Sequence, residues 1–577
     1  MLFEMIFLAV ITWIAYCGVL EGTYVSDDIE GLMRYDGKPK DRSYGAMIKF
    51  ITFKLFGRDM HSHHFFSITL HMANAILLYL FLGSLPIPAP IPFWASILFA
   101  IHPTTVQSIG WVSGRGYPIS MFLVLLGFNI ATITPFTQNQ IHLGLFTIGY
   151  GILYFFSVHA LFAAMSTFVI QAFLGNHYLA FVGAIVTLGM SAGIIKEVVG
   201  LRSKVFAEQN LSSSTYLKWQ KVIVAFKSLG YYTLLCFFPK RMGLYHTYNY
   251  HYSEKTEKED GIFWLGLILA IGMVLGFMYG PFVIKFAILW YVAYLFIFLN
   301  WITIHQFVSE RYCYIALVGV CIVFSYLCAL LPASIGVPLF WLSAGLYLMR
   351  TWAHIPTFYD EVSFYQSNIW NFPESEVAFG NLGVTYVHCG LIGSAIDVWL
   401  ISTKINPEYD VAWYNLGSVF RQKGDLGKAH EFLKKAVNSK LCHFKEAWGK
   451  ELEDLEHELQ FLQEFNNLKQ KLSTVKSDEA VKLNQQLDEL IKLQHTAEEQ
   501  RKQKLTIIQR EENELRSQLL NTEKTKKNLE QPVDLKILIQ SRDNNFMQIR
   551  EQAMRYMNVQ SADGLQPERP AGNVNAG

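Results

Sequence analysis

Two adjacent carboxylates, Asp27 and Asp28, lie in Tyr24-Val25-Ser26-Asp27-Asp28-Ile29-Glu30, directly after an apolar run at residues 2–20. A carboxylate at a membrane face can take the proton from a hydroxyl nucleophile, and cations beside it can hold a departing phosphate. Guanidinium groups match phosphate oxygens in pairs. That singles out Arg115, in Trp111-Val112-Ser113-Gly114-Arg115, and Arg311, in Ser309-Glu310-Arg311-Tyr312. Lys196 is a third cation suited to a phosphate, and His102, Glu197 and Glu310 are candidate supporting groups. The chemistry these types suit is transfer of a group from a lipid phosphate to a hydroxyl. Each has a plainer reading. An Asp pair caps helices, an interfacial Arg snorkels, Lys196–Glu197 can anchor a span end, and Arg311 can pair with its neighbour Glu310. His71 and Asn74 fall one turn apart on a helix and read as interhelical hydrogen bonds. His61, His63 and His64 read as a solvated cluster, and no residue is assigned to a metal site.

The elements that must position these groups are apolar. The chain of 577 residues is 52% hydrophobic and only 16% charged, with mean hydropathy +0.23; soluble domains carry about 25% charge. This is an integral membrane protein. Net charge is +1, so nothing points to nucleic acid. Seven cysteines are scattered without metal or disulfide spacing. The first apolar run lacks a basic start and a small-residue cleavage site, so it reads as a retained span. Loop 21–62 contains Tyr44 to Phe56, where Met47, Ile48, Ile51, Leu55 and Phe56 alternate with Lys49 and Lys54, a pattern for an interfacial helix. Spans follow near 64–83, 92–109, 117–135, 178–195, 221–238, 261–279, 282–303, 312–331 and 335–351, with one or two more in 142–174. The expected fold is mainly α, a polytopic bundle of about eleven or twelve spans over residues 1–352.

Several polar islands share an order. They are the Asp27-Asp28 loop, His71-x-x-Asn74, Phe99-Ala100-Ile101-His102-Pro103 leading to Trp111-Val112-Ser113-Gly114-Arg115, Lys196-Glu197, and Glu310-Arg311-Tyr312. In this order the set resembles the transmembrane-and-TPR-containing O-mannosyltransferases (TMTC) of the GT-C superfamily, over about residues 1–440. The resemblance implies a polyprenyl- or dolichyl-phosphate sugar as donor, mannose as the sugar, and a protein Ser or Thr hydroxyl as acceptor. It also implies that Asp27 or Asp28 is the base, with room for a divalent cation at the acids. Basic residues in loop one, such as Arg34, Lys38, Lys40 and Arg42, would by themselves keep it cytoplasmic. The resemblance puts that loop on the far side, in the endoplasmic reticulum membrane of a eukaryote or the inner or plasma membrane of a prokaryote. Two departures from the family are a short TPR array and a coiled-coil ending.

Behind the bundle, residues 376–443 repeat at a 34-residue spacing. Phe379, Leu382, Gly383, Tyr386 and Ala395 answer Trp413, Leu416, Gly417, Phe420 and Ala429, the TPR pattern of interlocking large and small residues. Two repeats need further helical cover, from 353–372 or from the segment that follows. TPR-like repeats are thus expected over 353–448, as a surface for a protein acceptor or partner. Residues 449–531 carry leucines three and four apart among charges (Leu452, Leu455, Leu459, Leu462), an oligomerising coiled coil or helical hairpin with a turn at Ser473 to Asp478. Residues 532–577 read as a short helix and a disordered end. The rival reading is an inactive GT-C-like scaffold that assembles through the TPR region and coiled coil. A transporter is less well supported, for want of an inverted repeat.

Overall fold

The structure, a computed structural model, describes residues 1–29, 44–133, 218–244, 261–300, 308–439, 442 and 444–472, with a few positions between 482 and 492. The chain is mainly helical, without strands among the described residues. It divides into two units, Met1–Phe372 and Pro373–Gly577.

In the first unit, α1 (Leu2–Tyr16) runs on through a 3₁₀ turn to Glu21. Helix α2 (Tyr44–Phe56) forms where the amphipathic pattern asks for it, leaving Ile51 and Leu55 exposed. Asp59 caps α3 (Met60–Gly83) by accepting the backbone N–H groups of His61 and Ser62. Helix α3 packs against α1, α4 (Ile91–Ile101) and α6 (Gly116–Ile133). Pro103 supplies no N–H and α4 stops before it. The chain breaks through a 3₁₀ turn and the short α5 (Val106–Gly110), bending 106° into the stretch that begins at Val112.

Next come α7 (Lys218–Phe237), α8 (Gly261–Tyr279), α9 (Phe282–Leu295), the one-turn α10 (Glu310–Cys313), α11 (Leu317–Leu330), α12 (Ala333–His354) and α13 (Glu361–Asn371). A Cβ on Gly266 would overlap the Phe226 carbonyl, so glycine lets α8 lie directly on α7. Only 6% of the apolar stretch of α8 is buried; Trp264, Ile268, Val274 and Met278 face outward, as a bilayer-covered helix would.

Three described helices are long and apolar enough to cross a membrane: Leu2–Glu21, Met60–Gly83 and Gly261–Tyr279. The bent pair around Trp111 would make four. This falls short of eleven or twelve spans. The expected span 92–109 is cut at His102-Pro103, and α9 and α11, at 14 residues each, are about 21 Å long against a core of about 30 Å. The expected spans in 142–195 lie outside the described residues. The first unit also runs on past residue 352, because α13 and the turn at Ile355–Phe358 pack into it.

The second unit begins with two antiparallel pairs at the 34-residue spacing: α14 (Glu376–His388) with α15 (Ile392–Ile405), and α16 (Asp410–Gln422) with α17 (Leu426–Asn438). Trp399 Nε1–H donates to Gly380 O at 2.9 Å, and Ser402 Oγ to Glu376 O at 2.8 Å. Helix α18 (Lys445–Leu472) covers the second pair. Leu455 is buried with Ala429 and Leu433, flanked by Leu452 and Leu459. Trp448 stacks on Tyr414 at 4.5 Å, and Arg421 reaches Glu451 and Glu458. The following segment thus supplies the cover that two helical pairs require. The leucines at 452, 455 and 459, read as the start of a coiled coil, are taken up inside the chain instead, because α17 offers them an apolar face. The stretch 493–577 lies outside the described residues.

Candidate functional site at the acidic loop

The loop Gly22–Ile29 is held at both ends. Thr23 donates from its backbone N–H and its hydroxyl to Tyr359 O, at 2.9 and 2.8 Å. Trp111 Nε1–H donates to Val25 O at 3.2 Å. Ser26 takes a left-handed conformation, φ 51°, and the turn it makes splits the acidic pair: Asp27 is exposed and Asp28 fully buried.

Asp28 is a clamp. Its Oδ2 accepts Val112 N–H at 3.2 Å, and its Oδ1 accepts both Ser113 N–H at 2.7 Å and Ser113 Oγ–H at 2.6 Å. Burial pushes its carboxyl up to about 6, against the opposing pull of the Ser113 and Val112 donors and the Arg115 charge. Both Asp28 oxygens are engaged by these donors, while Asp27 is exposed. Among the described residues no three of His, Cys, Asp and Glu converge as metal ligands.

Asp27 is within electrostatic reach of Arg311. The Arg311 guanidinium lies over the Trp111 ring at 4.6 Å and over Tyr312 at 5.4 Å. Its backbone N–H donates to Gln107 Oε1 at 2.7 Å, an oxygen that also accepts Ser309 Oγ–H at 2.9 Å. Trp111 is therefore shared: its N–H ties the acidic loop and its face carries the arginine.

Arg115 lies deeper, 2% exposed. Its Nη2 donates to His63 Nδ1 at 2.9 Å, and its Nε and Nη1 have no hydrogen-bond partner among the described residues. Because a guanidinium only donates, His63 Nδ1 must accept, and its Nε2–H then donates to Gly57 O at 3.0 Å. His63 and His64 are buried, contrary to a solvated cluster, because α3 turns them toward Arg115; His61 stays exposed.

His102 and Glu310 are both tied into the fold. His102 Nε2–H donates to Cys236 O at 2.8 Å while its Nδ1 accepts from Thr104 Oγ1 at 2.8 Å. Both ring nitrogens are engaged, so the ring ties the break after α4 to α7 and orients no acid among the described residues. Glu310 is fully buried, accepting from Gly243 N–H and from His354 Nε2 at 3.0 Å. His71 Nδ1 accepts from Tyr314 Oη at 2.6 Å, its Nε2–H donates to Ala100 O at 3.2 Å, and Asn74 Nδ2 donates to Pro118 O and Tyr314 Oη. Lys196 and Glu197 lie outside the described residues.

Sequence reasoning passed over Gln107, Ser113 and His354. The first two stand in the quoted Trp111–Arg115 stretch and just before it, but no spacing marks a neutral side chain as an anchor. A cavity of about 400 Å³ lies between α7, α8, α9 and α11, lined by residues including Thr233, Leu269, Gly276, Ile288, Tyr291 and Gly319. Its one pair of hydroxyls is satisfied: Thr233 Oγ1 donates to Leu229 O and meets Tyr291 Oη at 3.0 Å.

No family model matches the chain, and searches of curated proteins and of solved structures find no match either.

Proposed function

We propose that the protein is a multi-pass membrane glycosyltransferase of the GT-C type. It would move a hexose, mannose by resemblance, from a polyprenyl or dolichyl phosphate to a protein Ser or Thr hydroxyl. The observation that carries this reading is Trp111, which tethers the loop of the exposed Asp27 through Val25 and carries the Arg311 guanidinium on its face, with Asp28 locking that loop. Asp27 takes the acceptor proton as the acceptor oxygen bonds to the sugar C1. The C1–O bond to the carrier phosphate breaks, and its electron pair leaves on a phosphate neutralised by Arg311. Arg115, too buried to meet a lipid headgroup directly, donates to His63 on α3. The cavity against α9 and α11, apolar but for one hydrogen-bonded pair of hydroxyls, supports a hydrocarbon-bearing substrate. The helical pairs α14–α17 suit a TPR-like surface for the acceptor protein, and the leucines beyond residue 460 suit self-association.

The second reading, an inactive scaffold, is favoured by one feature: Asp28 and Arg115 are both sequestered. Asp27→Asn separates the two. The full chain in vesicles, given mannosyl-phosphoryl-polyprenol and a Ser/Thr-rich peptide, should lose about 10²–10⁴-fold in transfer with its helicity unchanged. Equal transfer by wild type and Asp27→Asn would remove Asp27 as the base. Wild type that transfers nothing but still self-associates would favour the scaffold.

A further inference from the structure

His354 has no place in the chemistry above, yet it is 2% exposed and ends a chain of hydrogen bonds at the segment that carries Arg311. Ser367 Oγ and Thr357 Oγ1 are 2.9 Å apart, and Thr357 Oγ1 lies 3.3 Å from His354 Nδ1. With Thr357 donating, His354 Nδ1 is the acceptor, and its Nε2–H faces Glu310 Oε2 at 3.0 Å. Glu310 Oε1 accepts Gly243 N–H. The next amide, Leu244 N–H, goes to Asn368 Oδ1 at 2.5 Å. The imidazole tautomer is thus set from one side and used on the other.

The Ser309–Arg311 turn is gripped from two directions. Gln107, from α5, accepts Ser309 Oγ–H and Arg311 N–H. His354, from the end of α12, holds the Glu310 side chain between them. One residue on, the Arg311 guanidinium lies over Trp111. A one-turn helix of four residues cannot fix its own orientation, so the direction of Arg311 depends on what holds its flanks.

We infer that His354 is a positioning residue for Arg311, acting through Glu310 to keep the guanidinium over Trp111. The inference rests on the reading of Arg311 as the phosphate-binding group. His354→Ala leaves Glu310 fully buried with one hydrogen-bond donor fewer, and the turn is then free to rotate toward another donor. His354→Gln keeps an N–H donor for Glu310 and should behave as a rescue.

The test uses the full chain in lipid nanodiscs with polyprenyl phosphate, a carrier without sugar, as the probe. His354→Ala should weaken binding by about tenfold, and His354→Gln should restore it to within about threefold. In an Arg311→Ala background, His354→Ala should add nothing, since the group it positions is gone. A maps-level comparison of wild type and His354→Ala should show Arg311 displaced from the Trp111 ring. Arg311 still stacked on Trp111 in His354→Ala would overturn the inference, as would a full tenfold loss in the Arg311→Ala background. Arg311→Ala binding the carrier as tightly as wild type would instead fell the underlying phosphate reading, whatever the His354 variants do.

Discussion

Asp28→Asn tests whether burial or hydrogen bonding governs the acidic clamp. The substitution keeps the shape of the side chain. Its oxygen can still serve both Ser113 donors, while its NH₂ meets the Val112 N–H that Oδ2 accepted at 3.2 Å. Opposing one pair of donors costs about 1–3 kcal/mol. Against this stands the penalty of ionising a fully buried carboxyl. A folded-state pKa of about 6 against an ordinary value of 3.8 amounts to about 3 kcal/mol at neutral pH. The two offset, so Asp28→Asn should change stability little at pH 7. Asp28→Ala, which leaves three donors unpaired, should be far worse, at about 1–3 kcal/mol for each donor.

The pH dependence separates the terms. Near pH 3 the carboxyl is protonated in both the folded and unfolded chains. Between about 4 and 6 the folded state holds a proton that the unfolded chain has released, so stability falls as pH rises. Above that window the deficit levels off. Denaturant titrations of wild type and Asp28→Asn in nanodiscs between pH 3 and 7 should therefore show wild type losing about 3 kcal/mol relative to the variant. The opposite slope, with wild type gaining on Asp28→Asn as pH rises, would mean that the Ser113 and Val112 donors and Arg115 outweigh burial. The clamp would then favour the charged carboxylate.

Two further outcomes follow from the packing. Trp111→Phe keeps a ring beneath Arg311 and loses the N–H to Val25 O, so transfer should fall about fivefold, the worth of about 1 kcal/mol; Trp111→Ala removes platform and tether together and should cost about a hundredfold. Equal losses in the two variants would deny the ring a role. In the second unit, a Cβ on Gly383 would overlap the Trp399 indole, which its bond to Gly380 O holds in place. Gly383→Ala should destabilise that unit by about 1–3 kcal/mol, whereas Gly393→Ala, with open space around it, should stabilise it by about 0.5–1 kcal/mol. Thermal unfolding followed by helical circular dichroism distinguishes them.

Much of the architecture was legible because it is periodic or compositional. Apolar length marks Leu2–Glu21, Met60–Gly83 and Gly261–Tyr279 as candidate spans, and the amphipathic alternation marks Tyr44–Phe56 as a helix. The 34-residue spacing of large and small residues marks the helical pairs from Glu376 to Asn438. These signals are local: each is a property of neighbours along the chain. The expected span over 92–109, by contrast, ran through Pro103, where the helix ends at Ile101 and the chain bends by 106°.

What the chain order could not say is which of two adjacent carboxylates does which task. Asp27 and Asp28 are chemically equal as residues, and only the left-handed turn at Ser26 and the donors on Val112 and Ser113, more than eighty positions away, bury one and expose the other. Nor does sequence tell that His102, beside an apolar helix end, has both ring nitrogens taken, or that Glu310 turns to His354 across 44 residues. The leucines of α18 show the same limit. Their spacing fixes a helix with an apolar stripe, but whether the stripe meets a second copy or the chain's own α17 is decided by which apolar face lies within reach. Periodicity determines the element and one of its faces; hydrogen-bond partners and burial, and with them the chemistry, exist only once distant segments meet.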